Sequence, residues 1–438
     1  MREFFDLLRQ RGLSPERMEA TLTRSSRTQM LDLVEEIRFT LPYTLIADAG
    51  RHSFVANTSL SGGPFPCRHV DCRREKADDL ARFAALYADR VLIRDPYSLY
   101  NGRDWYDNVL RTCLAGDFLV FFYLEPLFEN GLLGVGSPVL PYSESHHSQE
   151  RDVSHTLQRF NTWLRDKYLD EIEFQYDKST GLIVVEGPEF IVPHGKQFWG
   201  PCKEDVLTQR GAVRKRVKKG IFEDNLVGPA VRDITEQGAY ARHSHYTYLT
   251  DGDLDADLIS SITDEKIHPT VKAVIKGLSH AVPVVASTDL RSLLRLREEE
   301  AEAFRVYRDS VSRVLQNADL TSERRIEEAF ADAIQPELNR IDLAVRNSRK
   351  LFSDHLTRDF IVGAGMISIG FSIGAVQPTA GALFAAAGGV KSAYELGKRV
   401  YDAARSDTSE IRNNSFYYLW QLRQNSEISQ ASVEKKWF

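Results

Sequence analysis

The chain has 438 residues, of which 42% are hydrophobic and 10% aromatic, enough for two or three domains with a sizeable core. Its 56 basic and 62 acidic residues leave a net charge of -6, which excludes a whole-protein attraction to nucleic acid and confines anion binding to local patches. Four cysteines (Cys67, Cys72, Cys113 and Cys202) are too few for a disulfide framework, and the charged opening "MREFFDLLRQRG" lacks the apolar core of a secretory signal, so reduced thiols in a cytoplasmic protein are expected.

The first 40 residues read as helices. In "SPERMEATLTR" a serine cap precedes Pro15 at the first helical position. Three apolar runs of strand length follow: "YTLIAD" (43–48), "RVLIRD" (90–95) and "FLVFFYL" (118–124). A helical pattern, "REKADDLARFAALYA" (74–88), separates the first two, so an α/β unit with some parallel pairing is expected. Asp48 and Asp95 close those two strands. They are the candidate catalytic residues, because ligands of parallel sheets bind beyond the strands' carboxyl ends; turn initiation is the simpler explanation of both.

Between 48 and 74 two short motifs stand out. "SLSGGPFP" is a glycine-rich loop after a short apolar run, but it has neither a Walker lysine nor the G-x-G-x-x-G order. "PCRHVDC" gathers Cys67, His69 and Cys72, residue types that bind zinc, yet the usual second ligand pair is missing. The reading is therefore an ordinary thiol loop, with no metal and no cofactor expected.

"EIEFQYDKSTGLIVVEG" (171–187) reads as a β-hairpin turning at Asp177–Gly181. "RGAVRKRVKKG" (210–220) is the most basic window, with Arg214, Lys215, Arg216, Lys218 and Lys219 as anion-binding candidates. No aromatic residue interleaves it, so base stacking is not implied and nucleic acid is not favoured as a partner. "DGDLDADL" (251–258) imitates the start of a calcium loop, but Ala256 and Ile262 stand where glycine and glutamate are required, so an exposed acidic turn is expected. "VPVVAS" (282–287) reads as a last strand.

From Ser287 the character changes to long amphipathic helices, one running to about Gln316 and a second that Pro336 is expected to bend or divide. Arg297 and Arg308 fall on the apolar stripe of the first. Buried guanidinium is costly unless paired, so each is expected to meet a carboxylate or an anion.

Residues 360–390, "FIVGAGMISIGFSIGAVQPTAGALFAAAGGV", are 31 residues without a charge. One membrane span takes about 20 apolar residues, and Gln377-Pro378 interrupts this stretch, so a helical hairpin fits better than a single crossing. Ile367, Ile369, Gly370, Phe371, Ile373 and Gly374 form its first arm, with small residues spaced for close helix packing. The hairpin either enters a membrane or lies in the core of a helical bundle, with the aromatic run 416–420 at the interface or in that core.

The expected fold is α+β: an α/β domain with a mixed sheet and a β-hairpin (1–200), a connecting region (201–286), and an α-helical bundle carrying the hairpin (287–438). The expected function is a non-enzymatic effector or sensor whose helical half delivers the hairpin to a membrane. By architecture alone that order suits toxin or defence effectors. An enzyme on a phosphate-bearing or nucleic-acid substrate and a scaffold subunit are the alternatives. Membrane, protein partner and oligomer all stay open.

Overall fold

A computed structural model describes residues 1–43, 52–100, 107–136, 158–200, 202, 204–244, 246–250, 252, 254–255, 258, 289–317, 323–353 and 417–419. The chain divides into two units, 1–272 and 273–438.

Unit 1 opens with helices α1 (Arg2–Gln10), α2 (Met18–Arg24) and α3 (Arg27–Thr40). Ser26 caps α3 in a reciprocal box with Gln29, which satisfies two amides that helix geometry leaves unpaired. The start expected for α2 at Pro15 lies further on: residues 14–17 form a turn, with the Arg17 and Met18 amides donating to the Ser14 carbonyl.

The central element is a parallel sheet of β1 (Ser53–Ala56), β2 (Arg90–Arg94), β3 (Leu133–Gly136) and β7 (Thr247–Leu249), in the order β3-β2-β1-β7. Helix α4 (Val70–Leu86) joins β1 to β2, and α5 (Asp107–Glu129) precedes β3. The run "FLVFFYL", expected as a strand, is the middle of α5. Leu110, Leu114, Phe118, Phe121, Leu124 and Phe128 are all buried there, and a helix enclosed on most sides is as continuously apolar as a buried strand. Phe4, Tyr97, Phe118, Phe121 and Phe128 pack in a chain of ring contacts that ties α1 to α5. Of the expected strand 43–48 only Tyr43 is described; it forms a parallel bridge to Val135.

A second, antiparallel sheet contains β4 (Glu173–Asp177), β5 (Leu182–Glu186) and β6 (Lys196–Trp199), in that order. The expected hairpin is its first two strands. Asp177 accepts from the Ser179 amide and the Ser179 and Thr180 hydroxyls, and Gly181 takes the left-handed conformation, φ 69°, that closes the turn. Among the described residues, parallel and antiparallel pairing therefore occur in two separate sheets rather than one mixed sheet. Helix α6 (158–168) packs on the antiparallel sheet through Phe160, Leu164 and Tyr168.

The basic window forms α7 (Lys215–Gly220), which runs through a π-helical turn (Ile221–Leu226) into α8 (Gly228–Ser244). Val227, Val231 and Ile234 join the core of the antiparallel sheet, while α8 also packs on β1 and β7. This helix links the two sheets.

In unit 2 the first long helix is two: α9 (Leu290–Glu299), capped by Asp289 accepting from the Ser292 amide at 3.0 Å, and α10 (Ala301–Asn317). Glu300 leaves helical geometry between them, so a single stripe cannot be projected across residues 294–315. Helix α11 (Glu323–Ser353) continues through Pro336 undivided. Leu338, just beyond the proline, is buried, as is Ile334 before it. Tyr417, Tyr418 and Leu419 are buried, and Tyr418 stacks on Tyr307 and meets Phe304 edge-on, so this part of the aromatic run is core. No helix among the described residues is long and apolar enough to cross a membrane. The hairpin 360–390, with Ile367, Ile369, Gly370, Phe371, Ile373 and Gly374, and the strand expected at 282–287 lie outside the described residues.

Candidate functional site

The connections β1 to β2 to β3 move outward in one direction, whereas β7 lies on the other side of β1. The strand order thus reverses at β1, and two polar networks meet where β1 and β7 end.

The first network is built on Asn57. Its amide group donates to Thr250 Oγ1 and Asp255 Oδ2, both at 2.9 Å, and its carbonyl oxygen accepts from the Leu60 amide at 2.7 Å. Thr250 Oγ1 and the Tyr248 hydroxyl also donate to Asp255, at 2.7 and 3.2 Å. Asp255 is only 3% exposed, which corrects the expectation of an exposed acidic turn at this position. It is buried because three donors at the ends of β1 and β7 replace its water.

The second network is built on Asp233 of α8. Its carboxylate accepts from the Thr58 amide at 2.8 Å and the Thr58 hydroxyl at 2.7 Å. Arg94, the last residue of β2, approaches it at 3.7 Å and pairs with Glu236 at 2.8 Å. Burial raises the Asp233 carboxyl above its ordinary value, against the pull of Thr58 and Arg94. Glu236 is the accessible member at the rim, with its side chain 43% exposed.

The glycine-rich loop expected between 48 and 74 is a buried turn directly after β1. Its amides donate inward: Asn57 to Leu249, Thr58 to Asp233, Leu60 to Asn57, Ser61 to Asn57, Gly62 to Ser59 and Gly63 to Thr58. A phosphate finds few free donors there. Beneath the turn, the Arg73 guanidinium donates to the Gly62 carbonyl at 2.7 Å, to the Cys113 carbonyl at 3.1 Å and to Asp117, which also accepts from the Tyr100 hydroxyl. Arg73 and Asp117 are both almost fully buried. Gly116 makes room for this pair: a Cβ at that position would sit 2.0 Å from the guanidinium.

Asp95 is fully buried at the end of β2. It accepts from the Tyr97 amide at 2.8 Å, the Tyr43 hydroxyl at 3.0 Å and Arg38 at 3.3 Å, and so ties β2 to α3. Asp48 lies outside the described residues.

In the basic window Arg214, Lys215, Arg216 and Lys219 are exposed. Lys218 lies over the Phe174 ring at 5.6 Å, and Lys219 is 3.7 Å from Glu223. Arg297 and Arg308 are half-buried, and both address Phe304, with guanidinium carbons 4.2 and 5.7 Å from its centroid.

The structure brings Cys67 and Cys72 together, and the nitrogen that joins them is that of His194, not His69. His194 Nε2 lies 3.5 Å from Cys67 Sγ and 3.3 Å from Cys72 Sγ. The His69 side chain is 66% exposed, with Nδ1 3.7 Å from Asp71. His194, like Asn57, Thr58 and Asp233, escaped the sequence reading, because its partners are more than 100 residues away and no local pattern marks the pairing, and Asp255 reads there only as part of an exposed acidic turn.

The chain matches no family model, no curated protein and no solved structure.

Proposed function

We propose that this protein is a two-unit sensor and effector. Unit 1 receives a small hydroxyl-bearing ligand of the nucleoside or sugar class at the carboxyl edge of the parallel sheet. The helical unit is the output, acting without catalysis by bringing the uncharged segment 360–390 to a membrane.

The observation that carries the ligand reading is the reversal of strand order at β1. In open α/β sheets ligands bind outside the carboxyl ends of the strands at such a point. Among the described residues the groups gathered there are mainly acceptors, Asp233, Asp255 and Glu236, together with the cation of Arg94. Acceptors suit ligand hydroxyl and amino groups. Asp233 and Asp255 are themselves held by protein donors, so the accessible acceptor for a ligand is Glu236 at the rim, while the inward-directed amides of residues 57–63 give little support to an enzyme acting at a phosphate.

Thermal melts against nucleosides, nucleotides, free sugars and inorganic phosphate test the proposal. A bound member of the first classes, at about 100 times its Kd, stabilises by about 2.7 kcal/mol, or roughly 5–10 °C for a unit of this size. Phosphate alone should give no gain. Glu236→Gln should reduce the ligand-induced gain while leaving the ligand-free melt in place. If no nucleoside, nucleotide or sugar moves the melt, the site is a purely structural knot.

A further inference from the structure

We infer that Cys67, Cys72 and His194 form a zinc site, independent of the ligand reading above. The three ligand atoms lie within 4.8 Å of one another. In a tetrahedral zinc centre, with Zn–S of about 2.3 Å and Zn–N of about 2.0 Å, sulfur and nitrogen ligands stand about 3.5 Å apart. The observed separations are 3.5 and 3.3 Å, so the two cysteines and the imidazole already have the spacing of shared coordination.

Hydrogen bonding alone accounts poorly for this arrangement. An imidazole nitrogen offers either one lone pair or one N–H. Two sulfurs approach the same Nε2, so at most one of them makes a well-directed hydrogen bond. A metal ion between the three atoms uses the lone pair once and takes both sulfurs as thiolates.

The backbone holds the histidine in place. His194 has φ 61° and ψ 19°, the left-handed region that few non-glycine residues occupy. Gly195 follows at φ 68°. The turn is pinned at the β5–β6 end: the Gly195 amide donates to Val192 at 2.8 Å, and the Gly195 carbonyl accepts from Gly187 at 3.2 Å. Backbone strain of this kind persists where surrounding structure enforces it, and it clusters at ligand-binding positions. On the opposite side, Cys72 is held in the first turn of α4 and Cys67 in the loop before it. Arg68 spans the same gap, its guanidinium 5.5 Å from the Phe65 ring and 5.7 Å from the Trp199 ring.

Both cysteines are partly exposed and His194 is exposed, so an ion has a path in. Two thiolates and an imidazole are a borderline-soft set that favours zinc over magnesium or calcium. Among the described residues no fourth His, Cys, Asp or Glu joins them. The fourth position then falls to water or to a ligand, as in zinc sites with three protein ligands. Occupied, the site fastens the loop that follows the buried turn to the antiparallel sheet.

The test is metal content of the full-length chain, purified with zinc and freed of loose metal by desalting. We expect about one zinc per chain for the wild type, as for an ordinary zinc centre. Cys67→Ser, Cys72→Ser and His194→Asn should each weaken zinc binding roughly 100-fold or more. Asparagine tolerates the left-handed backbone, so H194N removes the ligand without removing the turn. Cys113→Ser and Cys202→Ser should keep the metal. Should the cysteine variants fail to fold, cobalt substitution of the wild type decides: a strong sulfur-to-cobalt charge-transfer band with tetrahedral ligand-field intensity is expected. A wild type that takes up neither zinc nor cobalt overturns the site. So does zinc retained undiminished in H194N, or a Cys67–Cys72 disulfide in protein purified under nitrogen.

Discussion

Arg73 illustrates how a single charged side chain is made tolerable inside a core. Its guanidinium is 1% exposed, and it survives there because two carbonyls and the Asp117 carboxylate replace its water. Burial raises the Asp117 carboxyl, so the pair is held by geometry more than by an easy charge. Arg73→Met should therefore destabilise unit 1 by about 3–5 kcal/mol, because Asp117 is left without its cation. Adding Asp117→Asn should recover a large part, since the uncompensated charge is gone; urea unfolding of the two variants checks this. Additive losses would mean the pair is not the source of the cost. Asp233 gives a test with a sign. Its carboxyl is raised above its ordinary value of 3.8, chiefly by burial. The folded state then holds the proton more tightly than the unfolded one. The stability it contributes is fully present below 3.8 and is lost as pH rises through the folded value. The advantage of wild type over Asp233→Asn should shrink from acid to neutral pH in urea titrations; an advantage that grows with pH contradicts the assignment. Little of this was legible in advance. "SLSGGPFP" was visible as a glycine-rich loop, but Asp233 and Asp255 meet the two residues just before it, Thr58 and Asn57, from 175 and 198 residues away. Only the fold brings such carboxylates together, and no spacing rule reaches that far.

At the scale of elements, local chemistry was a good guide where it was strong and misleading where burial was complete. The 171–187 hairpin was legible because Asp177, Ser179, Thr180 and Gly181 are turn chemistry and the flanks alternate. The strand at 90–94 and the helix at 70–86 were legible through composition and period. Strand β3, Leu133–Gly136, was not, since half its residues are glycine. The connection from α7 to α8 depends on one small residue. In the π-helical turn the Val227 amide donates to Phe222, five residues back, at 3.0 Å. Gly228 comes next, and a Cβ there would sit 2.1 Å from the Glu223 carbonyl oxygen. Backbone cannot swing aside as a side-chain tip can. Gly228→Ala should cost about 3 kcal/mol, the upper end for overpacking. It should also loosen α8, which carries Asp233 and Glu236. Hydrogen exchange of residues 228–237 distinguishes this from a local effect: protection should fall along the helix, and unchanged protection would show that the turn absorbs the methyl group.

For the whole molecule, the decisive constraint is where the two flanks of residues 360–390 return. Helix α10 packs on α11, which runs to Ser353 before the uncharged segment. Beyond it, Tyr418 stacks on Tyr307 of α10 at 5.3 Å, and Leu419 is fully buried. Both flanks thus belong to one unit, 273–438. If this packing is kept when the segment inserts, a single membrane crossing is ruled out, because it would place them on opposite sides of a bilayer. An effector of the proposed kind that keeps this packing would insert the segment as a hairpin that enters and leaves on one side. That topology also suits the basic residues on both flanks, Arg349, Lys350 and Arg358 before the segment and Lys391, Lys398 and Arg399 after it. Ile369→Asp separates insertion from a buried core. A charge in the hydrocarbon region costs about 2.5–3.5 kcal/mol even on the gentlest scale, so the variant should no longer release dye from anionic vesicles while its melting temperature stays close to that of the wild type. In a core, the same unpaired carboxylate would be buried without water, and the helical unit would melt early instead. Leakage and melting measured on one sample give the answer. Wild-type protein that neither leaks vesicles nor sediments with them, with and without a ligand that stabilises unit 1, would make the segment a core element and turn the helical unit into a scaffold.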